Sequence, residues 1–345
     1  MKKKTTIYDI AEKLNITAAT VSRALNGNPK ISESTRELVN NTAKELNYEQ
    51  NKLALALKSG KSFNVGVIVP RIDNNFFASV IRGIEEELHP QGYHVIICQT
   101  HDQENLEVEK INSLLNIQVD GILMSICNVS LEPEKHFQKI LKKGIPLIFF
   151  DRKRDMEGVS SITINDFKGA YEATQHLINQ GCKRIAHLSN NCEMEIFKNR
   201  YLGYKQAILD NGLELDDSLV IESISKVAEG RKKTKLLLAN PNPPDAIFSS
   251  SDFTALGAIE EIKAQGLRIP EDICVVGFSN EPFTRFLELS ITSVDQSPVE
   301  MGRICAQVFL EEAKNKKVKT EKKIVLTPEL IIRDSSLKTK ALANS

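Results

Sequence analysis

The chain of 345 residues is too long for one average domain and predicts two or three folded units. It is 41% hydrophobic and 26% charged, and no run approaches the roughly 18 apolar residues of a membrane span, which excludes a helical membrane protein. Formal charge sums to zero but is unevenly spread. Residues 1–61 hold eleven Lys and Arg against six Asp and Glu, so a basic head of net +5 precedes a body of net −5. That asymmetry is the mark of a nucleic-acid-binding appendage.

The opening MKKKTTIYDI has no apolar segment and no cleavage site, so no secretory signal is expected and the chain is read as cytoplasmic. Cysteines 98, 127, 182, 192, 274 and 305 form no C-x-x-C pair and are expected as reduced thiols. The six histidines lack metal-ligand spacing, so neither a metal nor a cofactor is expected.

In TTIYDIAEKLN, Thr6-x-x-Asp9 has the pattern of a capping box, and Ile7, Ile10, Ala11 and Leu14 form one apolar stripe at helical spacing. After a break at Asn15-Ile16, Thr17 caps a second helix whose buried edge is Ile16, Val21 and Leu25 and whose end is Asn26-Gly27. Ser34-x-x-Glu37 is expected to cap a third, with Leu38, Val39, Thr42 and Leu46 inside. Two short helices joined by a tight turn and buttressed by a third predict a helix-turn-helix. The second helix turns a side of Ala18, Ala19, Thr20 and Ser22 outward, with no carboxylate and with Arg23 as its one cation. A groove about 12 Å wide admits only such a slim, acid-free face.

TIYDIAEKLNITAATVSRALNG resembles the signature of the lac repressor (LacI/GalR) family of bacterial transcription regulators, and STRELVNNTAKELNY and NKLALALKSGKS continue the resemblance. It implies that Ala18, Ala19 and Thr20 read bases, with Arg23 carried over. Thr6, Tyr8, Thr17, Ser22, Asn26 and Lys58 complete the expected DNA-contacting set. Leu14-Asn15 stands where the family often has Ala-Gly, and Thr17 stands where Ser is usual. Within hinge segment 50–61, the eight residues of good helix propensity in NKLALALKSG are too few to be a stable helix alone in water. The resemblance implies a hinge helix there that forms against its dimer mate in the minor groove, with Leu57 wedged between base pairs.

Beyond residue 62, apolar runs begin at Val65, His94, Gly121, Pro146, Ile162, Arg184, Ala246 and Ile273, separated by amphipathic stretches such as Phe77, Val80, Ile81, Ile84 and Leu88. This predicts an α/β fold of parallel sheets covered on both faces. Polar clusters after the strand ends, and returning strands in ITSVDQSP and KKIVLTPELIIRD, favour two doubly wound lobes over one barrel. The resemblance agrees, implying a periplasmic-binding-protein-like pair of lobes with crossovers near 163–166, 290–294 and 325–328. The expected division is therefore 1–49 for DNA binding, 50–61 as hinge and 62–338 for effector binding and dimerisation. Lobe 1 is expected at 62–163 and 293–325, and lobe 2 at 164–292 and 326–338.

No G-x-S-x-G, Walker A or G-x-G-x-x-G motif is present, so an enzyme is not expected; Asp151, Asp166 and Asp252 are each read as holding a ligand hydroxyl or capping a helix. By the resemblance, an effector between the lobes would meet Asn74, Phe76, Phe77, Asp151 and Arg152 from one lobe. Arg200, Asp252 and Ser279 would face it from the other. The family commonly has Asp where Ser279 stands. Losing that carboxylate while keeping Arg200 suggests a more positive pocket and an acidic or phosphorylated sugar, with a neutral mono- or disaccharide as the competing expectation. A homodimer follows from the two-fold reading of a palindromic operator. Only eleven residues follow Asp334, without leucine heptads, so no tetramerising coiled coil is expected. The rival readings are a sugar-binding receptor without a regulatory role and a regulator controlled by a phosphocarrier protein.

Overall fold

The computed structural model describes residues 5–48, 61–127, 135–314 and 321–338, and the chain divides into two units, Met1–Ser62 and Phe63–Ser345. In the first unit lie α1 (Ile7–Leu14), α2 (Ala18–Leu25) and α3 (Glu33–Glu45). The Asp9 carboxylate accepts from the Thr6 N–H at 2.6 Å and from its hydroxyl at 2.7 Å. Asn15, at φ 51°, takes the left-handed conformation that ends α1. The Thr17 hydroxyl accepts from the Thr20 N–H at 3.1 Å and starts α2, and Gly27 closes it at φ 67°.

Two details differ from expectation. The cap of α3 is Ser32, whose hydroxyl accepts from the Thr35 N–H, so Ser34 lies inside the helix. Leu38 is 54% exposed, and Ala43 is buried with Val39 and Thr42. Val39, Thr42, Ala43 and Leu46 keep the i, i+3, i+4, i+7 spacing that one buried stripe requires, and Leu38 falls outside it. Ile10, Ala11, Val21, Ala24, Val39 and Ala43 form the core of this unit. Segment 49–60, with the expected hinge helix and its Leu57 and Lys58, lies outside the described residues.

The second unit holds two six-stranded sheets. The first uses β1 (Asn64–Val69), β2 (His94–Gln99), β3 (Gly121–Met124), β4 (Leu147–Phe150), β5 (Ser160–Ile164) and β11 (Lys323–Leu326), in the order β11-β5-β4-β3-β1-β2. The second uses β6 (Ile185–Ser189), β7 (Val220–Glu222), β8 (Ala246–Ser249), β9 (Cys274–Phe278), β10 (Thr292–Asp295) and β12 (Glu329–Ile331), in the order β12-β10-β9-β8-β6-β7. All ladders are parallel except β10 with β12. β1, β3, β4, β6, β8 and β9 are almost wholly buried, as strands covered on both faces must be.

The chain passes between sheets after β5, after β10, and between β11 and β12. The second passage, expected near 290–294, comes later, because Thr292, Ser293 and Val294 pair with Val276, Gly277 and Phe278 inside the second sheet. Strand order reverses between β1 and β3 in one sheet and between β6 and β8 in the other. Such reversals open a crevice at the carboxyl ends of strands, where ligands bind. Among the described residues, no helix is long and apolar enough to cross a membrane.

Layers of helices cover the sheets: α4 (Asn75–Leu88), α5 (Glu104–Asn116), α6 (Lys135–Lys142), α7 (Asp166–Asn179), α8 (Glu195–Asp210), α9 (Val227–Leu238), α10 (Asp252–Ala264), α11 (Phe283–Phe286) and α12 (Pro298–Lys314). α4 and α12 pack backbone to backbone. A Cβ on Gly83 would lie 2.1 Å from the Val299 carbonyl oxygen, and one on Gly302 would lie 2.1 Å from that of Val80. Gly83→Ala is therefore expected to cost about 1–3 kcal/mol, since neither helix backbone can yield as a side chain would. Urea unfolding of the variant against the parent measures it, and an unchanged midpoint would contradict the close contact.

Candidate functional site

In the first unit, Thr6, Thr17, Ala19, Arg23 and Asn26 are exposed, while Ala18, Thr20 and Ser22 are half-buried. α2 carries no carboxylate. Two of its polar groups are engaged locally: the Thr20 and Thr17 hydroxyls meet at 2.9 Å, and Asn26 Nδ2 donates to the Ser22 carbonyl at 2.6 Å. Ala18 packs against the core, so Ala19 and Arg23 are the outermost of the proposed readers. Tyr8 is 71% exposed at the start of α1, an aromatic ring in solvent beside Thr6. The α2 side of this face is slim, hydroxylated and without a carboxylate, as a duplex groove requires.

The second unit has a cleft of about 850 Å³ at the strand ends. That volume suits a small ligand. Of the residues named from sequence, Asn74, Phe76, Phe77, Asp151, Arg152, Arg200 and Ser279 line it. Asn74 follows β1 and caps α4, its carbonyl oxygen accepting from the Phe76 N–H at 2.8 Å. Phe76 and Phe77 meet edge-on at 5.1 Å and expose only an apolar edge. Asp151 leaves β4 in the left-handed conformation, φ 60°, and accepts from Ser125 Oγ at 3.1 Å. Burial pushes its carboxyl above the usual carboxylate range, against the pull of Arg152 and Arg200.

Arg200 is 4% exposed and rigidly held. Its Nε donates to Asp166 Oδ1 at 2.7 Å, Nη1 to the Ser250 carbonyl at 2.9 Å and Nη2 to Gln296 Oε1 at 3.3 Å. The guanidinium carbon sits 3.7 Å from the centre of the Phe278 ring. Three of five N–H donors are thus used to fix the fork, and two N–H groups remain for a ligand. Asp166 is pushed up to about 6 by burial, which outweighs the Arg200 charge.

Asp252 is the exception. It is fully buried and does not line the cleft. Its Oδ1 accepts from Ser293 Oγ at 2.6 Å and its Oδ2 from the Glu281 N–H at 2.8 Å. It therefore braces the Ser279–Glu281 turn from behind, and burial raises it to about 6. The expected positive charge is present but largely paired, with Lys226 also lining the cleft. Arg71 pairs with Asp73 at 2.6 Å, Arg152 with Asp102, and Arg200 with Asp166, so each cleft guanidinium has its carboxylate.

Sequence reasoning missed two participants. Gln296 sits at the second passage between sheets and donates to Ser279 Oγ at 2.9 Å, tying that serine to Arg200. Glu281 lines the cleft while only 4% exposed. Its signal in the sequence is the cluster SNEPF after β9, where Glu281 follows Ser279 by two residues.

A family model described as bacterial regulatory proteins of the lacI family matches residues 6–51, and one described as periplasmic binding proteins and sugar binding domain of LacI family matches residues 62–333. Catabolite control protein A of Priestia megaterium is 34% identical over 305 residues, covering 88% of this chain and 91% of the relative. The HTH-type transcriptional repressor CytR of Escherichia coli (strain K12) is 32% identical, covering 96% of each chain. Among solved structures, a complex of the transcriptional regulator CelR with cellobiose is 29% identical with TM-score 0.70, covering 96% of this chain and all of that one. The lac repressor dimer bound to operator and an anti-inducer shares the fold at TM-score 0.85 and 23% identity, with 97% and 100% of the two chains covered. With the helix-turn-helix and the two-lobed unit each matched along their length, the chain belongs to the LacI family and is a DNA-binding transcriptional regulator, not an enzyme.

Proposed function

We propose that the protein is a cytoplasmic, homodimeric repressor that binds a palindromic operator and is controlled by a neutral sugar held between its lobes. The dimer is required because one recognition helix spans only a few base pairs and a two-fold pair reads a palindrome. Ala18, Ala19, Thr20 and Arg23 are assigned to bases and phosphates, with Thr6, Tyr8, Thr17, Ser22 and Asn26 flanking them.

The observation that carries the choice of effector is the pairing of Arg71, Arg152 and Arg200 with Asp73, Asp102 and Asp166. An anionic sugar would have to compete with these carboxylates, whereas hydroxyls can join the paired groups without new charge. The match to a sugar-binding domain and the likeness to a regulator holding cellobiose support the same class. The cleft draws Asn74 and Asp151 from one sheet's strand ends and Ser279 from the other's, so a ligand touching both favours one arrangement of the lobes. A tenfold preference for that arrangement shifts operator affinity by about 1.4 kcal/mol.

Titration calorimetry with cellobiose, D-ribose, D-glucose and D-glucuronate tests the effector class. Binding heat from a neutral sugar, and weaker or none from the uronate, is expected. Heat from the uronate alone would contradict the reading.

A further inference from the structure

The turn after β9 is built unlike an ordinary loop. Ser279 at φ 116° and Asn280 at φ 49° both take the left-handed region, which residues with a Cβ rarely adopt. The surroundings hold them there. The Asn280 N–H donates to Ser293 Oγ at 2.9 Å, its Nδ2 donates to Asp295 at 2.6 Å, and Arg333 Nη2 donates to its Oδ1 at 2.7 Å. The buried Asp252 carboxylate fixes the next N–H, that of Glu281. Strain retained by this many contacts is a feature of functional sites.

What the turn delivers is the Glu281 side chain. It is buried to 4% exposure, it lines the cleft, and its carboxyl oxygens accept no hydrogen bond among the described residues. Burial and the neighbouring Asp252 charge push it up to about 7. The unpartnered carboxyl oxygens still reach solvent in the cleft, and a ligand hydroxyl can take the place of that water as hydrogen-bond donor. Ser279, by contrast, already receives a hydrogen bond from Gln296.

Resting on the sugar-effector reading, we propose that Glu281 is the carboxyl group that selects the effector in this chain, receiving a sugar hydroxyl in place of the carboxylate expected at position 279. Glu281 follows Ser279 by two residues, and its N–H meets Asp252, whose chain neighbours Ser251 and Phe253 line the same cleft. Preference among sugars is therefore set on this wall, by the hydroxyl that reaches Glu281, and Ser279 contributes little.

The test measures affinity for cellobiose, D-ribose, D-glucose and D-galactose by calorimetry in the parent, Glu281→Leu, Glu281→Gln and Ser279→Ala, with the melting temperature of each free protein. Glu281→Leu is expected to weaken the best-bound neutral probe at least tenfold while leaving the free protein as stable as the parent or more so. Glu281→Gln is expected to weaken it less, and Ser279→Ala by under threefold. Parental affinity in Glu281→Leu would overturn the assignment alone, as would a lowered melting temperature with affinity intact. No binding of any neutral probe to the parent would overturn the assignment together with the sugar reading.

Discussion

Replacing Arg200 with Met should destabilise the second unit by about 3–5 kcal/mol and abolish effector binding. The guanidinium and the Asp166 carboxylate are each only 5% exposed at the side chain. Burial already holds Asp166 at about 6, so the pair is not a source of large net stability. Removing one partner is a different matter. Asp166 would lose its guanidinium partner at 2.7 Å, the Ser250 carbonyl would lose its Arg200 donor, and Gln296 would lose one contact of the chain that reaches Ser279. Methionine keeps the contact with Phe278 and Phe197 but supplies no donor. Guanidinium-chloride unfolding gives the stability, and calorimetry with the best neutral sugar gives the binding. Adding Asp166→Asn to the same chain should restore part of the stability and none of the affinity, which separates the structural from the ligand-contacting share of Arg200.

The second large effect is expected on DNA. Ala19 is exposed on α2 and takes no part in the core formed by Ile10, Val21, Ala24 and Val39. Ala19→Glu should leave the fold of the first unit unchanged and weaken operator binding by roughly 100-fold. A longer acidic side chain there both blocks close approach and meets phosphate charge. Circular dichroism melting checks the fold, and fluorescence anisotropy at fixed salt checks binding. Arg23→Ala should weaken binding by about 1–3 kcal/mol, with loss of discrimination if it reads a guanine edge and a uniform loss if it holds a phosphate.

Much of this architecture is legible in the residues. The caps at Thr6 and Thr17, the left-handed Asn15 and Gly27, and the apolar stripes settle α1 and α2 from local chemistry alone. Buried parallel strands show as apolar runs, whereas β7, a half-exposed edge strand of three residues, leaves no such trace. Ser32 and Ser34 are both plausible caps by spacing, and only the hydrogen bond to Thr35 decides between them.

The cleft was harder to read. Residues that follow strand ends could be named because the chain order of an α/β fold puts them there. Which way a side chain turns could not. Asp252 opens α10 at the expected place, yet Ser293, 41 residues away, draws its carboxylate inward. Glu281 enters the cleft through two left-handed residues that are neither glycine. The cleft charge depends on Asp73, Asp102 and Asp166, whose partners are fixed only in three dimensions.

On the proposed function, a sugar in the cleft governs how tightly the basic head holds a palindrome. This control is tested most directly by anisotropy titrations of the full-length protein at fixed salt, on palindromic duplexes selected from a random pool and on scrambled duplex. Each is run without sugar and with saturating amounts of the neutral sugar that binds best. At least tenfold preference for a selected palindrome is expected, with a shift in that affinity of about tenfold or more on adding the sugar. Equal affinity for palindrome and scrambled duplex under both conditions would contradict it.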